Sequence, residues 1–477
     1  MLPIRPFKTT FPGMIFNSIV FVVFFISLHF LYWKAPKRFG NIILLIGSVI
    51  FYGYWSIPFL FHFLGTILIN YFLYIWASKY PGRVSLSITV ILNLLNLAFF
   101  KYTYFLLSSF VDLGIAGDFG KQLLIDSKSI VLPLAISFYT FQILALQIDS
   151  HREKFSEKIS LEKFSLFILF FPQLIAGPIM RHGDFFDQLD RNRRYSNLSF
   201  NSGYILIILG VIKKVLIADS ISVIIDPVFT HPGDYDSISL LASIYGFAIQ
   251  IYCDFAGYTD MARGMALLLG FDIPPNFKAP YFSLSFKEFW TRWHITLSTW
   301  LRDYLYISLG GNRQGKIRTF VNLFLTMLLG GLWHGANYTF IIWGFLHGSY
   351  LVIERLLGLE KLSQDRPNFL KFLSAFIVFH AVCFAWIFFR ADSASLSFSI
   401  ISGMFTNSGQ MRLLDIGPLL LLVISGIVTQ LYEFLPKKSK SIHFRYREII
   451  VPVFALIVAF LTASVSSQAS PFIYFQF

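Results

Sequence analysis

Apolar residues dominate this chain in runs that show neither the period of a half-buried strand nor the single stripe of a soluble helix. A helix that is apolar on every face lies in a very large core or spans a membrane. The runs are Met14 to Trp33, Asn41 to Trp55, Phe59 to Ala77, Leu86 to Phe100, Ile130 to Ile148, Phe164 to Ile179, Tyr204 to Ile225, Ile238 to Tyr252, Phe320 to Trp333, Phe340 to Ile353, Phe372 to Phe389, Ile416 to Leu435 and Ile449 to Val465. A crossing takes about 17 to 25 mostly apolar residues, and several runs fall short, which predicts tilted, broken or re-entrant segments and roughly 11 to 13 spans. The first run has no small-x-small cleavage pattern after it and reads as a retained span. The longest polar intervals, His151 to Lys163, Arg181 to Ser196 and Glu354 to Asn368, are loop-sized. The expectation is an all-α fold, a polytopic integral membrane helical bundle forming one domain around an intramembrane cavity.

The pattern changes between Asn276 and His347, where bases, tryptophans and two histidines interrupt it. Wound at 100° per residue, Trp290 to Tyr304 places Trp293, Leu297, Trp300 and Tyr304 on one stripe and Thr291, Ser298 and Arg302 on the other, with His294 about 60° from the latter. This predicts an amphipathic helix at the interface or along a cavity, ended by Gly310-Gly311-Asn312-Arg313. His334 follows the uncharged run Val321 to Trp333, and an ionisable group at membrane depth is a functional candidate. If the helix continues, Asn337 and Tyr338 share its face and orient the imidazole. His347 then lies about 220° away, a poor partner unless the helix breaks. A lone histidine in an apolar segment is more commonly a packing residue, and that reading stays open for both.

Composition fits the membrane class: 56% of residues are hydrophobic and 14% charged, where soluble domains carry about 25% charge. The net charge of +13 is explained by loops meeting anionic lipid headgroups, or by a surface for an anionic substrate. Because the bases are scattered between apolar runs, nucleic acid is not an expected partner. Cys253 and Cys383 both sit in apolar settings, and no metal-ligand spacing occurs, so neither a disulfide framework nor a metal is expected. Gly177-Pro178 predicts a helix break inside the membrane. Asp254 and Asp260 flank Gly257 in what reads as another interrupted segment, with helix capping as their simplest role. Arg390 reads as a snorkelling anchor. The bases around the first run only slightly favour an N-terminus outside the cell.

Several blocks in order carry a resemblance: Phe51-Tyr52-Gly53-Tyr54-Trp55, Ser137-Phe138-Tyr139-Thr140-Phe141-Gln142 with Asp149, Phe170-Phe171-Pro172-Gln173-Leu174-Ile175-Ala176-Gly177-Pro178, Cys253-Asp254-Phe255-Ala256-Gly257-Tyr258-Thr259-Asp260, Arg292-Trp293-His294, Gly330-Gly331-Leu332-Trp333-His334-Gly335-Ala336 and Ala385-Trp386-Ile387-Phe388-Phe389-Arg390. Together they resemble the membrane-bound O-acyltransferase family, in its bacterial branch typified by alginate O-acetylation. The resemblance implies that His334 is catalytic and His294 the second characteristic polar residue. It also implies a multi-pass protein of the cell (inner) membrane that passes acetyl groups toward an extracytoplasmic polysaccharide, with an extracytoplasmic acetyltransferase as partner. The chain departs from the family's usual glycine at Ala135, serine at Ala256, and lack of a base at Arg263.

Acyl transfer to a hydroxyl needs a base beside that hydroxyl and donors for the oxyanion that develops. His334 is the candidate general base, and His294 the orienting or oxyanion-stabilising partner. Asn337 and Tyr338 are further substrate-binding candidates. Arg292, Arg302, Arg313 and Lys316 would attract the phosphates of acetyl-coenzyme A, the expected donor substrate, with no cofactor bound; a basic collar facing headgroups is the competing reading. Two other functions stay open. One is acyl or D-alanyl transfer to teichoic acid or lipid, and the other is a channel or transporter in which the histidines form a proton path.

Overall fold

The structure is a computed structural model in which residues 14, 16, 18–153, 158–175, 177–189, 197–359, 367–408 and 415–434 are described. Among these, helices account for all regular structure. Four of them open the chain: α1 (Ile19–Lys34), α2 (Gly40–Trp55), α3 (Ile57–Lys79) and α4 (Arg83–Asp112). Their outward faces carry large exposed side chains such as Ile26, Phe30, Phe61, Phe72 and Leu95, which is the signature of surface meant for lipid rather than water. Inside, Asn70 of α3 and Asn93 of α4 exchange side-chain hydrogen bonds of 3.1 and 2.7 Å, so no amide is left to the hydrocarbon.

Next come α5 (Asp118–Ser127), α6 (Ile136–Glu153), the short α7 (Leu161–Leu169), α8 (Phe171–Leu174) and α9 (His182–Leu189). The run Phe164 to Ile179 is therefore broken, and residues 177 to 181 are non-helical, as Gly177-Pro178 requires. α10 (Asn197–Val211) continues through a π-helical turn, Ile212–Ala218, into α11 (Asp219–Thr230). These pack on α12 (Ser237–Leu268), a 32-residue helix with 78% of its most apolar window buried.

The expected interruption around Gly257 is corrected here: α12 is unbroken. Glycine is needed there because two backbones touch. A Cβ on Gly257 would lie 2.7 Å from the Gly210 carbonyl oxygen, and one on Gly264 2.5 Å from that of Gly203. Asp254 and Asp260 are not caps but ion-pair partners of lysines in the π-turn. Buried Lys214 lies 2.8 Å from Asp219 and also contacts Asp254; buried Lys213 lies 2.9 Å from Asp260 and 3.0 Å from Glu433.

α13 (Phe286–Arg292) and α14 (Ile295–Trp300) precede a second π-turn, Leu301–Tyr306; then follow α15 (Gly315–His334), α16 (Tyr338–Leu356), α17 (Asn368–Arg390), α18 (Ala394–Thr406) and α19 (Ile416–Phe434). Six described helices are long and apolar enough to cross a bilayer: Lys37–Trp55, α3, α4, α12, α17 and α19. The expected span Ile449 to Val465 lies outside the described residues. Arg390, at the end of α17, pairs at 2.7 Å with Asp226 and packs over Phe229.

Candidate active site

The predicted continuous helix from Trp290 to Tyr304 does not form. α13 begins with a capping box: the Ser285 hydroxyl accepts from the Glu288 amide (3.0 Å), and the Glu288 carboxylate accepts from the Leu284 amide (2.7 Å). The buried Glu354 carboxylate of α16 takes the next two amides, Phe286 and Lys287, at 2.7 and 2.9 Å. The helix then stops at Arg292, because His294 adopts a left-handed backbone, φ 42° and ψ 54°. Asn276 holds this turn: its carbonyl accepts from the Ile295 amide (2.9 Å), and its side-chain oxygen accepts from the Thr296 hydroxyl (2.6 Å). The Thr296 hydroxyl in turn accepts from the Ile179 amide (3.0 Å), which ties the turn to the Gly177-Pro178 break.

Strain of this kind, roughly 1–3 kcal/mol for a non-glycine residue, persists only where the surroundings enforce it, and it concentrates at functional sites. His294 is wholly buried, its ring 4.6 Å from Phe255 of α12 and 6.1 Å from Trp333 of α15. The His334 ring lies 5.0 Å from Trp333 and within 5.2 Å of Trp343 and Phe389. The two histidines, remote in sequence, thus both pack against the indole of Trp333. Trp333 is braced in turn by Phe141 at 5.3 Å, on which Trp300 stacks at 3.7 Å.

α15 ends at His334, so its last carbonyls need donors. They come from α4: the Lys101 ammonium donates to the carbonyls of Trp333 and His334, the latter at 3.1 Å, and the Tyr102 hydroxyl to that of Leu332 at 2.7 Å. Lys101, Ser137, Ile175, Trp333 and His334 are among the residues that line a small, partly open cavity. Sequence reasoning missed Lys101, which sits one residue past the run Leu86 to Phe100 and looks like any base at a span's edge.

Other expected site residues lie elsewhere. The chain turns at Gly335, so Asn337 and Tyr338 do not share a helix with His334. Asn337 caps α16 and donates to the Asp392 carbonyl (2.9 Å), while half-exposed Tyr338 donates to Ser109 (2.8 Å). Arg292 pairs with Glu288 at 2.7 Å and Arg302 with Asp303 at 2.6 Å; Arg313 is exposed on the loop after the second π-turn. None of the three lines the cavity. The same turn at Gly335 folds α16 back on α15 and brings His347 close after all, 4.6 Å from Trp343 and 5.0 Å from Trp290.

Beyond the Trp300 stack lies a polar clasp. Tyr304 donates to Asp149 (2.7 Å), Arg181 pairs with Asp303, and His182 lies 3.5 Å from Asp149 and 3.3 Å from Glu153. The neighbouring Asp149 carboxylate, helped by the Glu153 charge, raises the His182 pKa above the usual histidine value. Among the described residues no group of three His, Cys, Asp or Glu side chains is placed to hold a metal.

The family model for the membrane-bound O-acyltransferase family matches residues 84–401. The chain is 38% identical to the "Probable alginate O-acetylase" of Pseudomonas putida, over 97% of this chain and 100% of the relative. It is 36% identical to the "Peptidoglycan O-acetyltransferase" of Helicobacter pylori, over 82% of this chain and 80% of the relative. With the "Teichoic acid D-alanyltransferase" of Bacillus subtilis it shares 30% identity, over 54% of this chain and 68% of the relative.

Proposed function

The chain belongs to the membrane-bound O-acyltransferase family, and from that premise we propose that it carries acetyl groups from a cytoplasmic acyl thioester toward a polysaccharide outside the cell membrane, with His334 as general base. It is an O-acyltransferase and a membrane protein. The observation that carries the reading is the placement of His334 on the wall of a cavity, with His294 packed against the same Trp333 indole.

An alcohol near neutral pH is a weak nucleophile, and an imidazole titrates close enough to the working pH to take its proton. In this reading His334 takes the hydroxyl proton as the oxygen attacks the acyl carbon, then returns it to the departing thiolate. His294, locked by its backbone turn and by Phe255 and Trp333, keeps Trp333 and hence His334 in register. A bilayer enzyme suits a donor made on one side and an acceptor on the other. An extracytoplasmic protein that completes the transfer is part of the proposal. The near full-length likeness to the alginate relative favours a polysaccharide and acetate over teichoic acid and D-alanine.

His334→Ala is expected to leave the protein at normal abundance in the membrane while the acetate released from the cell's glycan by mild alkali disappears. Unchanged acetate in that strain would refute the role of His334, and release of D-alanine from the wild type would replace the acceptor.

A further inference from the structure

The lysines at membrane depth differ in how their charge is met. Lys213 and Lys214 each sit between two carboxylates, the arrangement expected where a charge would otherwise cost several kcal/mol. Lys101, in the long span α4, has no acid within ion-pair distance among the described residues. Its ammonium touches two carbonyls and, at 3.4 Å, the Ser137 hydroxyl, and it lies 5.8 Å from the Trp333 ring. The α15 carbonyls supply only the partial negative charge of a helix end. An anion that arrives with the reaction would supply the rest.

Lys101 is also on the cavity wall, together with Ser137 and His334. Ser137 is in the first turn of the 18-residue helix α6, whose leading segment, Leu132 to Phe138, forms one side of the cavity. The positive end of that helix and the ammonium therefore meet in the same space. Of the three hydrogen bonds Lys101 makes, the one to Ser137 is the longest and the most easily exchanged for a ligand oxygen. Because Lys101 also holds the His334 carbonyl, the cation and the base are fixed relative to each other.

The geometry points to Lys101 and Ser137 as the oxyanion-stabilising pair of the acyl transfer, facing the carbonyl oxygen of an acyl thioester while His334 faces the attacking hydroxyl. This rests on the acyl-transfer reading above. In the step, the hydroxyl oxygen bonds to the acyl carbon and its proton passes to the His334 imidazole. The carbonyl π electrons move onto oxygen, where the Lys101 ammonium and the Ser137 hydroxyl donate to the new charge. The oxyanion then collapses, the carbon–sulfur bond breaks, and the thiolate takes the proton from the imidazolium, giving an ester and a free thiol.

The test uses full-length protein in proteoliposomes, with acetyl-coenzyme A as donor, the cell's own glycan as the hydroxyl acceptor and release of free thiol as the readout. Ser137→Ala leaves the Lys101 cap on α15 intact, so a loss there is not a folding defect. Its kcat is expected to fall about tenfold with the donor KM unchanged. Lys101→Met is expected to lose about 10²- to 10³-fold in kcat. The double variant should lose no more than Lys101→Met, because the two act on one oxygen. Full kcat in Ser137→Ala, with an active wild type, overturns the oxyanion pair and leaves Lys101 a helix cap. A rise in KM at constant kcat overturns it too, since that marks ground-state binding. No thiol release by the wild type brings down the acyl-transfer reading and this inference with it.

Discussion

Of the three described non-glycine residues with a positive φ, Ala135, Ala279 and His294, the first and last belong to the site. Ala135 also lines the cavity, at φ 61°. A left-handed backbone costs an ordinary residue about 1–2 kcal/mol, while the extra chain entropy of glycine costs about 0.5–1 kcal/mol. The strain is the larger, so Ala135→Gly should raise the thermal midpoint in detergent slightly without altering the fold; a fall would mean that the methyl group has packing to lose. The two histidines were legible chiefly through the family resemblance of the Arg292-Trp293-His294 and Gly330-Gly331-Leu332-Trp333-His334 blocks, and His334 also as an ionisable residue after an uncharged run. Their meeting at Trp333 was not, since it depends on contacts between α6, α12, α14 and α15. Asn337 and Tyr338 were misplaced because helical spacing was carried past Gly335, where the chain turns.

At the scale of elements, the apolar runs located most helices, while the breaks needed a second signal. Gly177-Pro178 gave that signal openly. The break at His294 did not, since no glycine or proline marks it; it is imposed by Asn276 and Thr296. The π-turn at Ile212–Ala218 was equally hidden. Its lysines look misplaced in the run Tyr204 to Ile225, because their partners Asp254, Asp260 and Glu433 are far along the chain. Lys214→Met leaves Asp219 and Asp254 buried without their cation, which is expected to cost about 3–5 kcal/mol. The variant should accumulate poorly in membranes, and Lys214→Met with Asp219→Asn and Asp254→Asn should recover part of the loss. Equal accumulation of the single variant and the wild type would mean that water reaches the pair.

For the whole molecule, class was legible from hydropathy and charge, whereas the cavity was not, because its wall is drawn from α4, α6 and α15 together. Both cysteines, Cys253 and Cys383, are buried and free, so the wild type should resist a membrane-impermeant maleimide. Ala135→Cys, on the cavity wall, is expected to react with it from one face of the membrane only. Resistance of that variant from both faces would mean the cavity is closed to water.

The burial of α12 bears on how the protein is made. Its neighbours α10 and α11 precede it in the chain, and α17, α18 and α19 follow. As the ribosome feeds the chain into the bilayer, Lys214 has both its carboxylates once residue 254 has emerged, while Lys213 waits for Glu433 until synthesis is almost over. A nascent chain halted before α19 therefore has Lys213 paired with Asp260 but lacks the Glu433 carboxylate that also takes the Tyr252 hydroxyl, so this polar cluster closes only at the end of synthesis.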